Sequence, residues 1–221
     1  MPEPIDLPDV KPAPLEPGTL YLVATPIGNM EDITLRAIRT LRDCDLVAAE
    51  DTRHTGMLLK RLGLAKRQVS AHKFNEAKRS AEIVELLQGG GTVAMVSDAG
   101  SPGISDPGQR LVAAVIEAGC RVETVPGACA LVAALTASGL ATDEFHFIGF
   151  LPVKSGQRAK RLAKLLELPG TLAIYESPHR MVKLLGELVE HAPDQPVVLA
   201  RELTKKFEQI QRGRPAELLA A

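Results

Sequence analysis

Glu50, Asp51, Arg53 and His54 fall within five residues, in the segment AEDTRHTG (49–56). Two carboxylates, a guanidinium and an imidazole sit together there at the start of a basic stretch, the residue types that do acid–base and anion-binding work. Asp51 also stands where a helix-capping acid would, and Arg53 is a residue that a helix N-terminus repels. Three more segments have the composition of ligand-binding loops: TPIGN (25–29), SDAGSPGISDPG (97–108) and VPGACA (125–130). Glycine lets backbone approach a ligand closely, and a helix that follows offers unpaired N–H groups. The second loop lacks the G-x-G-x-x-G order and the lysine of a phosphate-cradling loop. Its charges, Asp98 and Asp106, suit a cationic or hydroxyl-bearing ligand. YESPHR (175–180) and ARELTKKFE (200–208) are further candidate segments. No G-x-S-x-G or H-E-x-x-H occurs, and the five histidines and three cysteines have no metal-ligand spacing, so no metal site is expected.

Each of these loops follows a short apolar run. Strands are expected over 19–25, 45–50, 67–72, 92–98, 121–126, 145–150, 171–177 and 196–204, with an antiparallel strand over 206–213. Helical periodicity covers 34–42, 52–63, 75–88, 106–119, 129–138, 155–167 and 178–191. Near-continuous Val/Ile/Leu/Ala strands followed by helices indicate parallel strands buried on both faces. In such sheets ligands bind at the carboxyl ends of the strands, where the Gly/Pro loops fall. The turn-rich SGLATDE (138–144) divides the chain into two α/β units, 18–139 and 140–221. They follow a tail, residues 1–17, that contains six prolines.

The 221 residues carry a net charge of −1, but unevenly. Residues 52–80 hold eight Lys/Arg against one acid, and residues 154–164 hold five Lys/Arg and none. These islands are either solvated helix faces or a local polyanion site, since the field of a surface charge decays over about 8–10 Å in physiological salt. Aromatic residues make up 3%, which disfavours extended base-stacking platforms and leaves phosphate and ribose contacts. No apolar run approaches the roughly 18–20 residues that span a bilayer. The N-terminus lacks a secretion signal's basic-then-apolar order, so a cytoplasmic protein without membrane attachment is expected.

TPIGN, EDTRHT, SDAGSPGISDPG, PGACA, FIGFLP, YESPHR and ARELTKKFE, in this order and at these distances, closely resemble the small-subunit rRNA methyltransferases of the tetrapyrrole (corrin/porphyrin) methylase superfamily. The likeness covers residues 18–221. It implies two α/β domains of the tetrapyrrole methylase type with the cofactor in the cleft between them. The implied activity is S-adenosylmethionine-dependent 2′-O-methylation of a cytidine ribose in the decoding region of 16S rRNA, by a homodimer acting on that RNA or on the small subunit. Pro26, Gly28, Asp98, Ala99, Gly100 and Ser101 then line the cofactor cleft, with Cys129 and Ala130 where the family pattern has serine-like small residues. Phe150, Leu151 and Tyr175 close the cleft from the second domain. Glu50, Asp51 and His54 become candidate bases, with Arg53 orienting a phosphate or the hydroxyl. Lys60, Arg61, Lys73, Asn75, Arg79, Lys154, Arg158 and Arg161 become the RNA grip. Relatives continue past residue 221 with another strand, so the second sheet is expected to expose an edge. A small-tetrapyrrole methylase and a non-catalytic RNA-binding assembly factor remain as alternatives.

Overall fold

Apolar residues dominate β1 (Thr19–Val23), β2 (Leu46–Ala49) and β4 (Val93–Val96), and every residue of β2 and β4 is buried. Strands buried on both faces belong in the middle of a helix-covered parallel sheet. With β3 (Gln68–Ser70) and β5 (Arg121–Val125) they form one of five strands, all parallel, in the order β3-β2-β4-β1-β5. This computed structural model describes residues 13–72 and 76–221, without the side chains of residues 76 and 77. Lys73, Asn75 and most of the proline-rich tail lie outside the described residues.

The sheet has two apolar faces and two cores. Ala37 and Leu41 of α1 (Leu35–Asp43) and Leu59 of α2 (Thr52–Arg61) cover one face, against Val23, Val47 and Val96. The other is covered by Ile83 and Leu87 of α3 (Glu76–Gln88) and Leu111 and Val115 of α4 (Gln109–Glu117). Connections leaving the neighbours β1 and β4 therefore turn to opposite faces. A crevice opens at the carboxyl ends of that pair, as the switch-point rule requires. Thr25 and Gly100 clamp its floor with two backbone hydrogen bonds, 2.9 and 3.0 Å.

After α5 (Ala130–Ser138) the pattern restarts. β6 (Phe145–Phe150) and β7 (Thr171–Tyr175) pair in parallel, and a bulge interrupts their register between Phe147 and Gly149. β8 (Val197–Arg201) and β9 (Gln209–Gly213) form a separate antiparallel pair, as the sequence indicates for β9. α6 (Ser155–Leu166) and α7 (Pro178–His191) bury Leu162, Leu165 and Leu184 with Leu151 in a third core. Between the two strand pairs lies an apolar cavity of about 640 Å³, walled by Leu172, Ile174, Val198 and Leu199 with Leu135 of α5. A short α8 (Pro215–Ala220) follows β9, a helix the apolar spacing does not announce. Pro215 opens it, and the Glu217 carboxylate accepts the Arg214 N–H at 2.7 Å.

Candidate active site

The crevice at the ends of β1, β4 and β5 contains a cavity of about 240 Å³. Ala99, Gly100, Ser101 and Asp106 of the long glycine loop form one wall, with Ile27 beside them. Cys129 and Ala130, at the start of α5, form the second. Phe150 and Tyr175, from the ends of β6 and β7, close it from the other strand system, their rings edge-on with centroids 5.8 Å apart. The Tyr175 hydroxyl accepts the N–H of Leu131 at 3.0 Å, and the Ser101 hydroxyl donates to the Ala128 carbonyl at 3.4 Å.

Gly100 is required where it stands. Its φ is +80°, and a Cβ there would lie 3.3 Å from the Ile27 side chain. A side chain would narrow the space between the two loops.

Just past the ends of β2 and β4, the backbone N–H groups of Asp51 and Asp98 reach across to opposite carboxylates. Asp51 N–H donates to Asp98 Oδ1 at 3.2 Å, and Asp98 N–H donates to Glu50 Oε2 at 3.3 Å. The ends of β2 and β4 are thus stitched together. Burial pushes the Glu50 carboxyl above the ordinary glutamate range. The Asp98 N–H opposes that rise, and the negative charges of Asp106, Asp98 and Asp51 add to it. Burial raises Asp106 likewise, against a Ser97 hydrogen bond.

Asp51 and Arg53 are paired with one another. Asp51 is the N-cap of α2, accepting Arg53 N–H at 2.8 Å, and its two oxygens take Arg53 Nε and Nη2 at 3.1 and 2.7 Å. Bonded to both oxygens, the guanidinium holds Asp51 far below the usual aspartate range, which makes it a weak base. Arg53 and His54 are exposed in the first turn of α2. Of the four candidates in AEDTRHTG, Glu50 is the carboxylate whose environment favours taking up a proton.

Two of the expected assignments are corrected. Arg158 is 2% exposed and gives Nε and Nη2 to the Glu187 carboxylate at 2.7 and 2.6 Å, so it is an internal strut between α6 and α7 and does not face RNA. Its place was readable, because Arg158, Leu162 and Leu165 are spaced as one helix face. Leu151 turns into the third core rather than toward the cavity. Only its carbonyl is used, by Arg180 at 2.9 Å.

The other expected residues divide by position. Pro26 and Gly28 flank Ile27, which lines the cavity in their place, and Asp98 immediately precedes its wall. Lys60 and Arg61 are exposed but end α2, roughly 10 Å of helix away from Arg53 and the strand ends. Lys154 and Arg161 are exposed, Lys154 at the start of α6. Arg79 is engaged locally by the Ser70 carbonyl and by Glu82. Ile27, Ile104 and Ser105 line the cavity without a sequence signal, and Asp106, noted only as a loop charge, joins them. Asp106 had the clearest signal, a second acid in the glycine loop. Among the described residues no His/Cys/Asp/Glu group could hold a metal, and no helix is long and apolar enough to cross a membrane.

The sequence model of the tetrapyrrole (corrin/porphyrin) methylases matches residues 19–219. The chain belongs to that family. Among curated members, proteins named ribosomal RNA small subunit methyltransferase I are similar at about half of all positions. That of Mesorhizobium japonicum is 50% identical over 93% of this chain and 70% of its own length. That of Micromonospora olivasterospora is 51% identical over 92% and 65%, and that of Synechocystis 51% over 89% and 71%. The chain therefore spans about two thirds to seven tenths of these relatives. Solved tetrapyrrole methylases share the fold. The uroporphyrin-III-C-methyltransferase of Thermus thermophilus superposes with a TM-score of 0.62 at 26% identity, covering 92% of this chain and 88% of that one. A cobalt precorrin-4 methyltransferase does so at 0.64 and 21%, covering 91% and 87%. The tetrapyrrole methylase fold thus carries the crevice, the glycine loops and the two strand systems around them.

Proposed function

We propose that this chain transfers a methyl group from S-adenosylmethionine to the ribose 2′-hydroxyl of a cytidine in the decoding region of 16S rRNA, as a cytoplasmic homodimer. The observation that carries the reading is the cavity. Glycine-rich loops of the first unit and the Phe150–Tyr175 pair of the second enclose it, in a chain half identical to enzymes named for small-subunit rRNA methylation. The two units are taken as domains, 18–139 and 140–221.

The cavity fits part of the cofactor. Its 240 Å³ falls below the roughly 300–1,000 Å³ of pockets that enclose a whole drug-sized ligand, so the remainder lies along the open crevice. Ala99, Gly100, Ser101, Cys129 and Ala130 would hold it, offering small side chains and backbone donors. Asp106 supplies a negative wall suited to a sulfonium or ammonium group. When bound, S-adenosylmethionine would supply an electrophilic methyl group with a neutral thioether as its leaving group.

The protein's own work is alignment, exclusion of water and removal of one proton. Phe150 and Tyr175 shield the cavity. Glu50, just past the end of β2 with a raised pKa, accepts the proton of the ribose hydroxyl as the methyl–oxygen bond forms. Arg53, exposed although paired with Asp51, and Lys154, exposed at the start of α6, are the cations assigned to phosphates on either side of one nucleotide.

The reading is tested by titrating the protein with S-adenosylmethionine in a calorimeter. Labelled cofactor is then supplied with 16S rRNA, with small-subunit particles, or with a precorrin-type substrate. Micromolar cofactor binding and label on a ribose oxygen are expected. Label on the tetrapyrrole, or no cofactor binding, rejects it.

A further inference from the structure

The loop between β8 and β9 exposes the most accessible aromatic ring among the described residues. Phe207 is 71% exposed, in a protein with 3% aromatic residues and no tryptophan. Lys206 Nζ lies 5.5 Å from the ring centroid, and Arg201 is exposed where β8 ends. The loop is held in shape. Glu202 and Thr204 adopt positive φ values of 53° and 65°, which non-glycine residues enter only when neighbours hold them there. Lys205 N–H donates to the Glu202 carbonyl at 3.0 Å, Glu208 N–H to the Lys205 carbonyl at 3.1 Å, and Thr204 N–H to the Glu208 carboxylate at 2.6 Å. Both acids of the loop are thereby used internally, since Glu202 also pairs with Lys205 Nζ at 3.1 Å.

This loop touches the crevice. The Lys205 stem lies so closely over Gly28 that a Cβ there would be 2.6 Å from its Cγ and Cε. Gly28 adjoins Ile27, which lines the small cavity. An exposed ring flanked by cations, rigidly presented beside a methyl-donor site, has the make-up of a single-strand platform. Every base offers a π face, and a lysine beside the ring meets the backbone phosphate.

We propose that the β8–β9 loop is the nucleotide-gripping edge of this site, with Phe207 stacking on a base of single-stranded RNA and Lys206 meeting the adjoining phosphate. The proposal rests on the rRNA reading above and adds the contact that presents the nucleotide. With Glu202 paired to Lys205, the remaining charges of the loop and of the β8 end are Arg201 and Lys206 against Glu208, a net +1 that favours RNA over a protein strand or a second copy of this chain.

Phe207→Trp provides the probe, because it becomes the protein's one tryptophan. With a single-stranded RNA oligonucleotide of the decoding region, its emission should be quenched, saturating at the dissociation constant found by filter binding. Phe207→Ala should weaken that RNA about tenfold, as loss of one base–aromatic stack does, with Phe207→Tyr restoring it and cofactor affinity unmoved. Lys206→Ala should lower the salt slope of RNA binding by about 0.7. RNA that binds and is methylated without quenching, with Phe207→Ala equal to the parent, overturns the stacking proposal and leaves the function standing. Emission that follows protein concentration instead of RNA assigns the ring to a contact between copies and overturns it too. A parent that neither binds nor methylates the RNA overturns the functional reading, and this proposal with it.

Discussion

Tyr175 and Leu131 are joined across the crevice: the hydroxyl at the end of β7 accepts the N–H of the second residue of α5 at 3.0 Å. That bond satisfies one of the unpaired N–H groups at a helix start and fixes the ring that walls the cavity. Burial raises the phenol above its ordinary range, so the ring stays neutral at physiological pH. Tyr175→Phe keeps the ring and removes the acceptor. It should cost about 1 kcal/mol in a thermal or urea melt, and it should weaken S-adenosylmethionine several-fold in calorimetry. Unchanged cofactor affinity would show that the bond is structural alone.

Glu50 links catalysis to pH. Its folded pKa is raised, so between the ordinary glutamate value and the raised one the native state binds more protons than the unfolded state. Stability therefore falls as pH rises through that window. Above it the ionised form predominates, the form that the proposed reaction requires. The methylation rate should fall on acidification through a pKa above the ordinary glutamate range. Glu50→Gln should remove that limb and most of the rate, and at neutral pH it should raise the melting temperature. A variant that melts lower, or that keeps the parent's pH profile, removes Glu50 from the mechanism.

Arg158 and Arg161 lie three residues apart and should separate completely. Arg158→Ala deprives the mostly buried Glu187 carboxylate of its guanidinium and should cost about 3 kcal/mol of stability. Arg158 holds Glu187 below the ordinary glutamate range, so the pair stabilises the fold at and above that range. The stabilisation is lost as pH falls through the lowered pKa, and parent and variant should converge in acid. Arg161→Ala removes an exposed cation and should leave the melt unchanged, lowering the salt slope of RNA binding by at most about 0.7. The reverse pattern would return Arg158 to the RNA surface.

What the sequence disclosed follows from what its patterns encode. Apolar period and Gly/Pro punctuation report local backbone, and β1 to β9 and α1 to α7 fall where those signals place them, within a few residues. The antiparallel course of β9 was legible as well. Residue type alone does not report which way a side chain turns. By composition Arg158 belongs with Lys154 and Arg161 as surface charge, whereas its spacing puts it on the buried Leu162–Leu165 face. Leu151 was grouped with Phe150, although alternate residues at the end of a strand turn to opposite sides. Asp51 and Arg53 look like catalytic partners in a string of letters, and here each is the other's hydrogen-bond partner. The contact of the β8–β9 loop with Gly28 joins segments far apart in sequence, and nothing local announces it.

Gly100 offers the sharpest test of the cavity as the cofactor's seat. Its φ of +80° puts any other L-residue in the left-handed region, and the added Cβ meets Ile27 at 3.3 Å and the Ala128 carbonyl at 3.6 Å. Those atoms belong to the loops ending β1 and β5, so the side chain presses on both walls at once. Gly100→Ala should cost about 1–2 kcal/mol of stability, the ordinary penalty of a left-handed non-glycine residue. Gly103, at φ +82° in the same loop with nothing within 4 Å of its Cβ position, supplies the control: Gly103→Ala carries the same backbone strain without the crowding. Both variants should therefore melt lower than the parent. S-adenosylmethionine binding should weaken by tenfold or more, on the order of 1.4 kcal/mol, in Gly100→Ala alone. Equal affinities for the two variants would mean that the cofactor is seated away from the Gly100–Ile27 contact.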